Sequence, residues 1–215
     1  GLAEEMFTHP DRVSERLNRC LLCGSCQAGC SSGVDVLEIF IAARAILADF
    51  NGLPYAQKIL FRNLLAKPAS FNALTDMAAK YQGLFLRKEN DAIGTSCTRI
   101  PAPRLGNRHV VPLAPEPFHK RLPELDTDPR RPSGLRVGFF VGCLIDKLFP
   151  QVADAAIQVL QHHGVGVWMP KSQGCCGIPA LSSGDTTAFN QLVQYSMDQF
   201  SSQDLDYLVT ACATC

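Results

Sequence analysis

The chain has 215 residues, enough to bury one large hydrophobic core or two small ones, and we expect two domains. Its 20 basic and 20 acidic side chains give a formal net charge of zero and are scattered, which disfavours nucleic-acid binding. No stretch approaches the roughly 18 to 20 apolar residues of a membrane helix, and no signal-peptide pattern opens the chain, so we expect a soluble, cytoplasmic protein.

The first 90 residues are predicted to be helical around one cysteine loop. Residues 2–18 mix apolar and charged side chains at helical spacing and lead into that loop. A helix over about 34–50 is predicted to end at Gly52, since glycine commonly terminates helices. Two further helices are expected to begin at Pro54 and Pro68, because proline suits the first helical turn.

The second half of the chain has a different pattern. Eight of the fourteen prolines lie between Pro101 and Pro132, so this segment is predicted to be extended, poor in secondary structure and a domain boundary. Beyond it, the apolar runs 135–141, 165–169 and 207–210 are predicted strands that alternate with two amphipathic helices. This alternation predicts a parallel sheet with right-handed crossovers.

Four cysteines near the N-terminus follow the C-x2-C-x2-C-x3-C spacing of bacterial ferredoxins, which favours a 4Fe-4S cluster: Cys20, Cys23, Cys26 and Cys30. A structural zinc site is the alternative, but zinc ligands normally come in separated pairs, whereas the two C-x-x-C units here overlap at Cys23. In two-cluster ferredoxins the fourth cysteine of a run ligates the other cluster. Cys30 therefore either joins the first three cysteines or serves a second cluster.

Five cysteines form a second group, spaced by 31 and 35 residues: Cys143, Cys175, Cys176, Cys212 and Cys215. Each part of the group follows a predicted strand, and loops after parallel strands emerge at one edge of a sheet, so we expect these thiols to converge. Gly142, Gly174 and Gly177 would allow the tight turns that this requires. Soft thiolates gathered in this way favour an iron cluster over disulfides or buried structural cysteines.

The second group resembles the cysteine-rich CCG domain of the heterodisulfide reductase superfamily. The N-terminal region resembles the second half of the two-cluster ferredoxin domain in iron-sulfur subunits of glycolate and lactate oxidases, in which a sequence like Ser32 to Asp35 follows the last cysteine. The family usually has proline after that cysteine, where this chain has Ser31. Because that proline is not a ligand, we expect the change to be tolerated.

The resemblance implies an α+α/β fold, with a helical ferredoxin-like 4Fe-4S domain over residues 1–96, a proline-rich linker over 97–134 and a parallel α/β CCG domain over 135–215. It also implies that the CCG domain is incomplete at its C-terminus. The family's first ferredoxin run would precede Gly1, and its second CCG domain would follow Cys215. We therefore expect the sequence to be an internal part of a longer protein.

The function implied by the resemblance is electron transfer in a 2-hydroxyacid (glycolate or lactate) oxidase complex. Its partners would be a flavin-containing oxidase subunit as donor and a quinone or another acceptor, with the complex cytoplasmic or peripheral on the inner face of the cytoplasmic membrane. No catalytic residue is predicted, since the sequence lacks a Rossmann fingerprint, a P-loop and a serine-nucleophile motif.

Three alternatives remain open from the sequence. One is a heterodisulfide-reductase-like subunit that cleaves a disulfide at the CCG cluster, and another is the iron-sulfur subunit of anaerobic glycerol-3-phosphate dehydrogenase. The third is a zinc-stabilised interaction module without redox chemistry. Outside both cysteine groups, Cys97 is expected to be a bystander thiol, Trp168 a packing residue, and His162 and His163 helix-capping or surface residues.

Overall fold

A computed structural model describes residues 10–90, 95–98, 110–130 and 133–215. The helices, in chain order, are α1 (Pro10–Asn18), α2 (Ser25–Ala28), α3 (Val36–Asn51), α4 (Tyr55–Lys58), α5 (Pro68–Phe85), α6 (Phe118–Arg121), α7 (Gly142–Leu148), α8 (Pro150–His162), α9 (Ile178–Ser182) and α10 (Thr186–Phe200). The strands are β1 (Leu86–Asn90), β2 (Thr95–Thr98), β3 (Leu125–Asp126), β4 (Arg136–Phe140), β5 (Gly166–Met169) and β6 (Tyr207–Thr210). The protein thus combines helices with sheet, which is compatible with the predicted α+α/β class. Within the described ranges, no helix is long and apolar enough to cross a membrane.

The chain divides into two compact units that are not continuous in sequence. The first unit comprises the residues up to Lys67 together with Cys176–Tyr195. The second comprises Pro68–Cys175 together with Ser196–Cys215. The boundaries expected from the sequence, at residues 97 and 134, stay a prediction.

Helix α3 is the main helix of the first unit, and it confirms the helix predicted over 34–50. The Asp35 side chain accepts a hydrogen bond of 3.1 Å from the backbone N–H of Glu38, which caps the helix N-terminus. The helix ends at Gly52, whose φ of 71° is a conformation that glycine adopts without strain. The next predicted helix begins after Pro54, as expected, but it continues as a π-helix over Ile59–Leu65.

An ion pair with a buried carboxylate joins this π-helix to the start of α10. The Arg62 guanidinium donates from Nε to Asp185 Oδ2 at 3.0 Å and from Nη2 to Asp185 Oδ1 at 2.9 Å. Asp185 Oδ1 also accepts the Ala188 N–H at 3.1 Å, so the same carboxylate caps α10. Burial by itself would raise the pKa of Asp185, but these hydrogen bonds outweigh it and hold the pKa below its usual value.

The second unit is built on a four-stranded sheet with the order β3-β5-β4-β6. β4 pairs in parallel with both β5 and β6, which confirms the three predicted strands and their parallel pairing. The core forms around these strands and α7 and α8, from residues Phe118, Val137, Phe139, Val141, Ile145, Ala153, Ile157, Val167, Met169 and Cys212. At the centre, Phe139 and Val167 have no exposed surface.

Two predictions about secondary structure are wrong. The sheet was expected to be parallel, but the two-residue strand β3, from the proline-rich segment, pairs antiparallel with β5 and makes the sheet mixed. Phe118, on the four-residue helix α6 of the same segment, is buried in the core. The first 90 residues are not all helical, because β1 follows α5 and pairs antiparallel with β2. The pairing of β3 with β5 joins Leu125 to Met169 and so depends on a partner outside a local sequence window.

Candidate metal centres

The N-terminal cysteine loop lies in the first unit between α1 and α3. Its backbone turns through two left-handed residues, Leu22 with φ 54° and Gly24 with φ 77°. Leu22 is the one non-glycine residue with positive φ in the described part of the chain, and such a conformation is costly for a leucine. Gly24 precedes α2, which carries Cys26. The loop is therefore folded back on itself, and the strain marks a candidate functional site.

Backbone N–H groups already point at the sulfur atoms of this loop. The N–H of Leu22 donates to Cys20 Sγ, and the N–H of Val34 donates to Cys30 Sγ, each at 3.4 Å. The hydrogen bond from Val34 lowers the pKa of Cys30, and the Ser25 side chain, 3.4 Å from Cys23 Sγ, lowers the pKa of Cys23. These contacts favour thiolates, the form in which cysteine binds metals. Cys23 and Cys26 are exposed, while Cys20 and Cys30 are half-buried.

Four of the five cysteines of the second group, all except Cys176, lie at the carboxyl edge of the sheet in the second unit. Cys143 lies at the start of α7, directly after β4, and its Sγ is 3.5 Å from the Sγ of Cys175. Gly142, with φ 71°, leaves room for a third thiol, because a Cβ at this position would lie only 2.9 Å from Cys215 Sγ. Thiols from three separate segments of the chain therefore approach one another at the end of β4.

The turn after β6 holds the last two cysteines. The N–H of Cys215 donates to the carbonyl of Cys212 at 3.1 Å, and the Cys212 thiol is 3.6 Å from Thr214 Oγ1. Cys212 is buried, which by itself would raise its pKa, but hydrogen bonds from Thr214 and Cys215 outweigh burial and lower the pKa. Cys176, the remaining member, is the neighbour of Cys175 in the chain and belongs to the first unit.

Gln173 supports this edge of the sheet, and sequence reasoning missed it. Its Oε1 accepts the Val141 N–H at 2.9 Å, and its Nε2 donates to the Phe139 carbonyl at 3.1 Å. The side chain thus binds the backbone at the end of β4 and fixes the loop that leads to Cys175. A lone glutamine two residues before the cysteine pair gave no sequence signal for this role.

A polar network next to Cys143 was also missed. Lys147, one turn along α7, is buried, and its Nζ lies 2.7 Å from Asn72 Oδ1, 2.8 Å from Asp146 Oδ2 and 3.1 Å from His119 Nδ1. His119 in turn contacts Asp146 through its backbone N–H at 2.8 Å and its ring Nδ1 at 3.0 Å. These groups and Cys143 line one cavity. The four residues come from three helices, so no local motif could reveal them.

The donor chemistry of both groups fits a soft metal centre. All nine cysteines whose side chains the structure describes are thiols outside any disulfide. Their environments supply N–H donors to sulfur and lower the pKa of three thiols. In the described residues, however, no three histidine, cysteine or carboxylate side chains already form a closed ligand set. The residue types thus fit an iron-sulfur group, although the described sulfur atoms do not form a complete ligand set around one point.

The other residues singled out in the sequence have structural surroundings. The Trp168 ring packs against Phe200 with centroids 5.4 Å apart, as predicted for a packing residue. His162 ends α8 and its ring lies 5.3 Å from that of His163. Cys97 lies in β2, and its side chain falls outside the described part of the structure.

The strand-loop pattern and its cysteines agree with a comparison to known protein families. Residues 137–215 match the CCG family, described as the cysteine-rich domain. This segment belongs to the CCG family. The match begins at the second residue of β4 and extends through Cys215, so it includes all five C-terminal cysteines.

Several curated proteins are similar to the chain. The probable glycolate oxidase iron-sulfur subunit of Bacillus subtilis is 24% identical over 226 residues, covering 100% of this chain and 49% of that protein. An uncharacterized iron-sulfur protein of Methanococcus maripaludis is 41% identical over 81 residues, 38% of this chain and 16% of that protein. Lactate utilization protein A of an Exiguobacterium species is 37% identical over 79 residues, 37% of this chain and 32% of that protein.

The chain spans half or less of the length of each of these relatives. The similarity to the Bacillus protein extends over the N-terminal cysteine loop as well as the CCG segment, whereas the other two alignments cover little more than a third of the chain. No solved structure matches the chain.

Proposed function

We propose that this chain is an electron-transfer iron-sulfur component of an oxidoreductase. The observation that carries the proposal is the approach of Cys143, Cys175 and Cys215 at the end of β4, inside a CCG segment. Iron-sulfur clusters are held by thiolates of this kind, and the names of the relatives support the choice of iron and sulfide over zinc.

Two separate centres are proposed. One uses Cys20, Cys23 and Cys26, with Cys30 completing it or serving a second cluster. The other uses the five C-terminal cysteines. When bound, a 4Fe-4S cluster would supply one-electron transfer at a potential set by hydrogen bonds to sulfur and by burial. The chain's own contribution is the set of N–H donors to sulfur and the Gln173 contacts that hold the Cys175 loop against β4.

The complex that we propose is a glycolate or lactate oxidase. Support comes from the Bacillus glycolate oxidase subunit, whose alignment covers the full chain, and from lactate utilization protein A. A flavin-containing subunit would donate electrons and a quinone or another acceptor would receive them, with the complex cytoplasmic or peripheral on the membrane. The proposed domains are a helical 4Fe-4S domain over 1–96, a linker over 97–134 and the CCG domain over 135–215.

Anaerobic reconstitution of the full chain with iron and sulfide tests the proposal. We expect two paramagnetic signals in the reduced or oxidised protein, of which Cys23→Ser removes one and Cys143→Ser removes the other. A colourless protein that binds only zinc would exclude electron transfer. One signal that is lost in both variants would instead indicate a single shared centre.

A second candidate is catalytic cleavage of a disulfide at the CCG segment. Its support is the close approach of two thiols at the end of β4, where the sulfur atoms of Cys143 and Cys175 lie 3.5 Å apart. To separate the two functions, the reduced, reconstituted chain would be mixed with small disulfides. Release of thiol that depends on Cys143 would favour the catalytic function, and no release would favour electron transfer.

A further inference from the structure

Arg44 is a buried cation that contacts the first cysteine of the N-terminal loop. It lies on α3, and only 7% of its surface is exposed. Its Nη2 donates to the carbonyl of Leu17 and to the carbonyl of Cys20, both at 2.6 Å, and its Nη1 donates to the carbonyl of Ser182 at 2.8 Å. The guanidinium therefore binds the backbone of Cys20 itself and connects that loop to the end of α9, within one compact unit.

The charge of Arg44 has no carboxylate partner among the described residues. Its Nε is buried as well and has no hydrogen-bond acceptor in the described part of the chain. Carbonyl dipoles solvate a cation, but they do not cancel its charge, and an uncompensated buried charge is strongly unfavourable. Within the described ranges, the buried charge of Arg44 thus has no negatively charged partner.

The other buried basic side chain of the described residues, Lys147, is paired with a carboxylate, as buried cations usually are. Its Nζ is 2.8 Å from a carboxylate oxygen of Asp146. Arg62 is likewise paired, with Asp185. Arg44 differs from both because its side chain donates to backbone carbonyls, and one of them belongs to Cys20 of the N-terminal cysteine loop.

We propose that the thiolates of the N-terminal loop and the iron-sulfur group they would hold supply the countercharge of Arg44, so that Arg44 raises the reduction potential of that centre. The inference rests on the proposed function, since it requires a cluster at Cys20, Cys23 and Cys26. Cysteine thiolates bound to the cluster make such a centre anionic, and reduction adds a further negative charge. A fixed cation in a low-dielectric surrounding stabilises the reduced state more than the oxidised one. Arg44 is therefore a positioning and potential-setting residue, not a ligand.

The test is a redox titration of the reconstituted full chain, followed by paramagnetic resonance of the N-terminal signal. Arg44→Gln removes the charge but keeps an amide that can donate to the carbonyls, and Arg44→Lys keeps the charge with fewer donors. We expect a lower midpoint potential in Arg44→Gln and a potential close to the wild-type value in Arg44→Lys. Equal shifts in both variants would mean that hydrogen-bond geometry, and not charge, is responsible, and would overturn the proposal.

Arg19→Gln is the matched control. Arg19 precedes Cys20 directly, but its side chain is 75% exposed and bonded to Glu15, so water and salt screen its charge. We expect a much smaller shift of the midpoint potential in this variant than in Arg44→Gln, and a shift of equal size would contradict the role of burial.

If Arg44→Gln fails to fold, Ala48→Glu provides a second test. It places a carboxylate one turn from Arg44, and the midpoint potential of this variant should lie below that of Ala48→Gln. Equal potentials in these two variants would overturn the proposal.

The proposed function and this inference fail in different ways. A wild-type chain without an N-terminal cluster signal would contradict both. A wild-type chain with that signal, and with a potential that Arg44→Gln leaves unchanged, would retain the proposed function and reject the role of Arg44.

Discussion

Arg62 and Asp185 form a bidentate ion pair in which the carboxylate is fully buried and the guanidinium is 39% exposed. The pair joins residues 123 positions apart in sequence and holds the π-helix against the start of α10. Because Asp185 also caps α10, one carboxylate serves both a long-range contact and a local one. Loss of the ion pair should therefore lower the stability of the first unit as a whole.

Arg62→Met is expected to lower the free energy of unfolding by about 3 kcal/mol, because it leaves the Asp185 carboxylate buried without its cation. Chemical denaturation of the purified chain measures this value. Arg19→Met is the control, since it breaks an ion pair in which both side chains are exposed and should cost less than about 1 kcal/mol. Equal losses in the two variants would show that burial of Asp185 does not matter.

The same pair predicts a pH dependence of stability. The folded-state pKa of Asp185 is depressed, so its contribution is complete above the unfolded-state pKa, about 3.9 for aspartate, and is lost as the pH falls through the lower folded value. The difference in unfolding free energy between the wild type and Asp185→Asn should be constant near neutral pH and shrink in the acid range. A difference in unfolding free energy that grows on acidification would contradict a lowered pKa of Asp185 in the folded protein.

Gly142→Ala tests the space that the C-terminal thiols need. The new Cβ would lie 2.9 Å from Cys215 Sγ, and the alanine would have to adopt the φ of 71° that Gly142 has. We expect loss of the CCG-site cluster signal, while the N-terminal signal persists. Gly134→Ala is the matched control, because Gly134 has a similar φ of 65° but its new Cβ would meet nothing within 4 Å. It should cost roughly 1 to 2 kcal/mol of stability and leave both signals intact.

Cys176→Ser separates the two proposed centres. Since Cys176 is assigned to the C-terminal group, its replacement should remove the CCG-site signal and leave the N-terminal signal unchanged in paramagnetic resonance. Cys97→Ser, outside both groups, should retain both signals. If the Cys176→Ser protein also retains both, Cys176 is not a ligand.

Local signals in the sequence predicted much of the fold. Pro150 begins α8, as its preference for the first turn suggested, and the apolar run 207–210 is the strand β6. The spacing of Cys143 and Cys175 after successive strands led to the expectation that these thiols meet, and they lie 3.5 Å apart. The helix and strand predictions succeed because their information lies within a few residues of the position concerned, and the thiol prediction succeeds because parallel strands end at one edge of a sheet.

Features that depend on distant partners could not be predicted in this way. β3 forms because Leu125 pairs with Met169, and its two residues carry no strand signal of their own. Arg44 resembles any other basic residue of a helix, and only the folded chain brings the carbonyl of Ser182 to its guanidinium. The short helices α7 and α9 were missed as well, because neither is long enough to show a helical period.

The position of β4 between β5 and β6 implies an order of assembly for the two cysteine groups. Val137 pairs with Tyr207, 70 residues further along the chain, so the C-terminal thiols meet only after a slow, non-local strand pairing. The N-terminal thiols are confined to one short loop and need no such pairing. A newly synthesised chain is therefore expected to bind iron first at the N-terminal cysteines. The C-terminal cysteines would bind it only when folding is nearly complete.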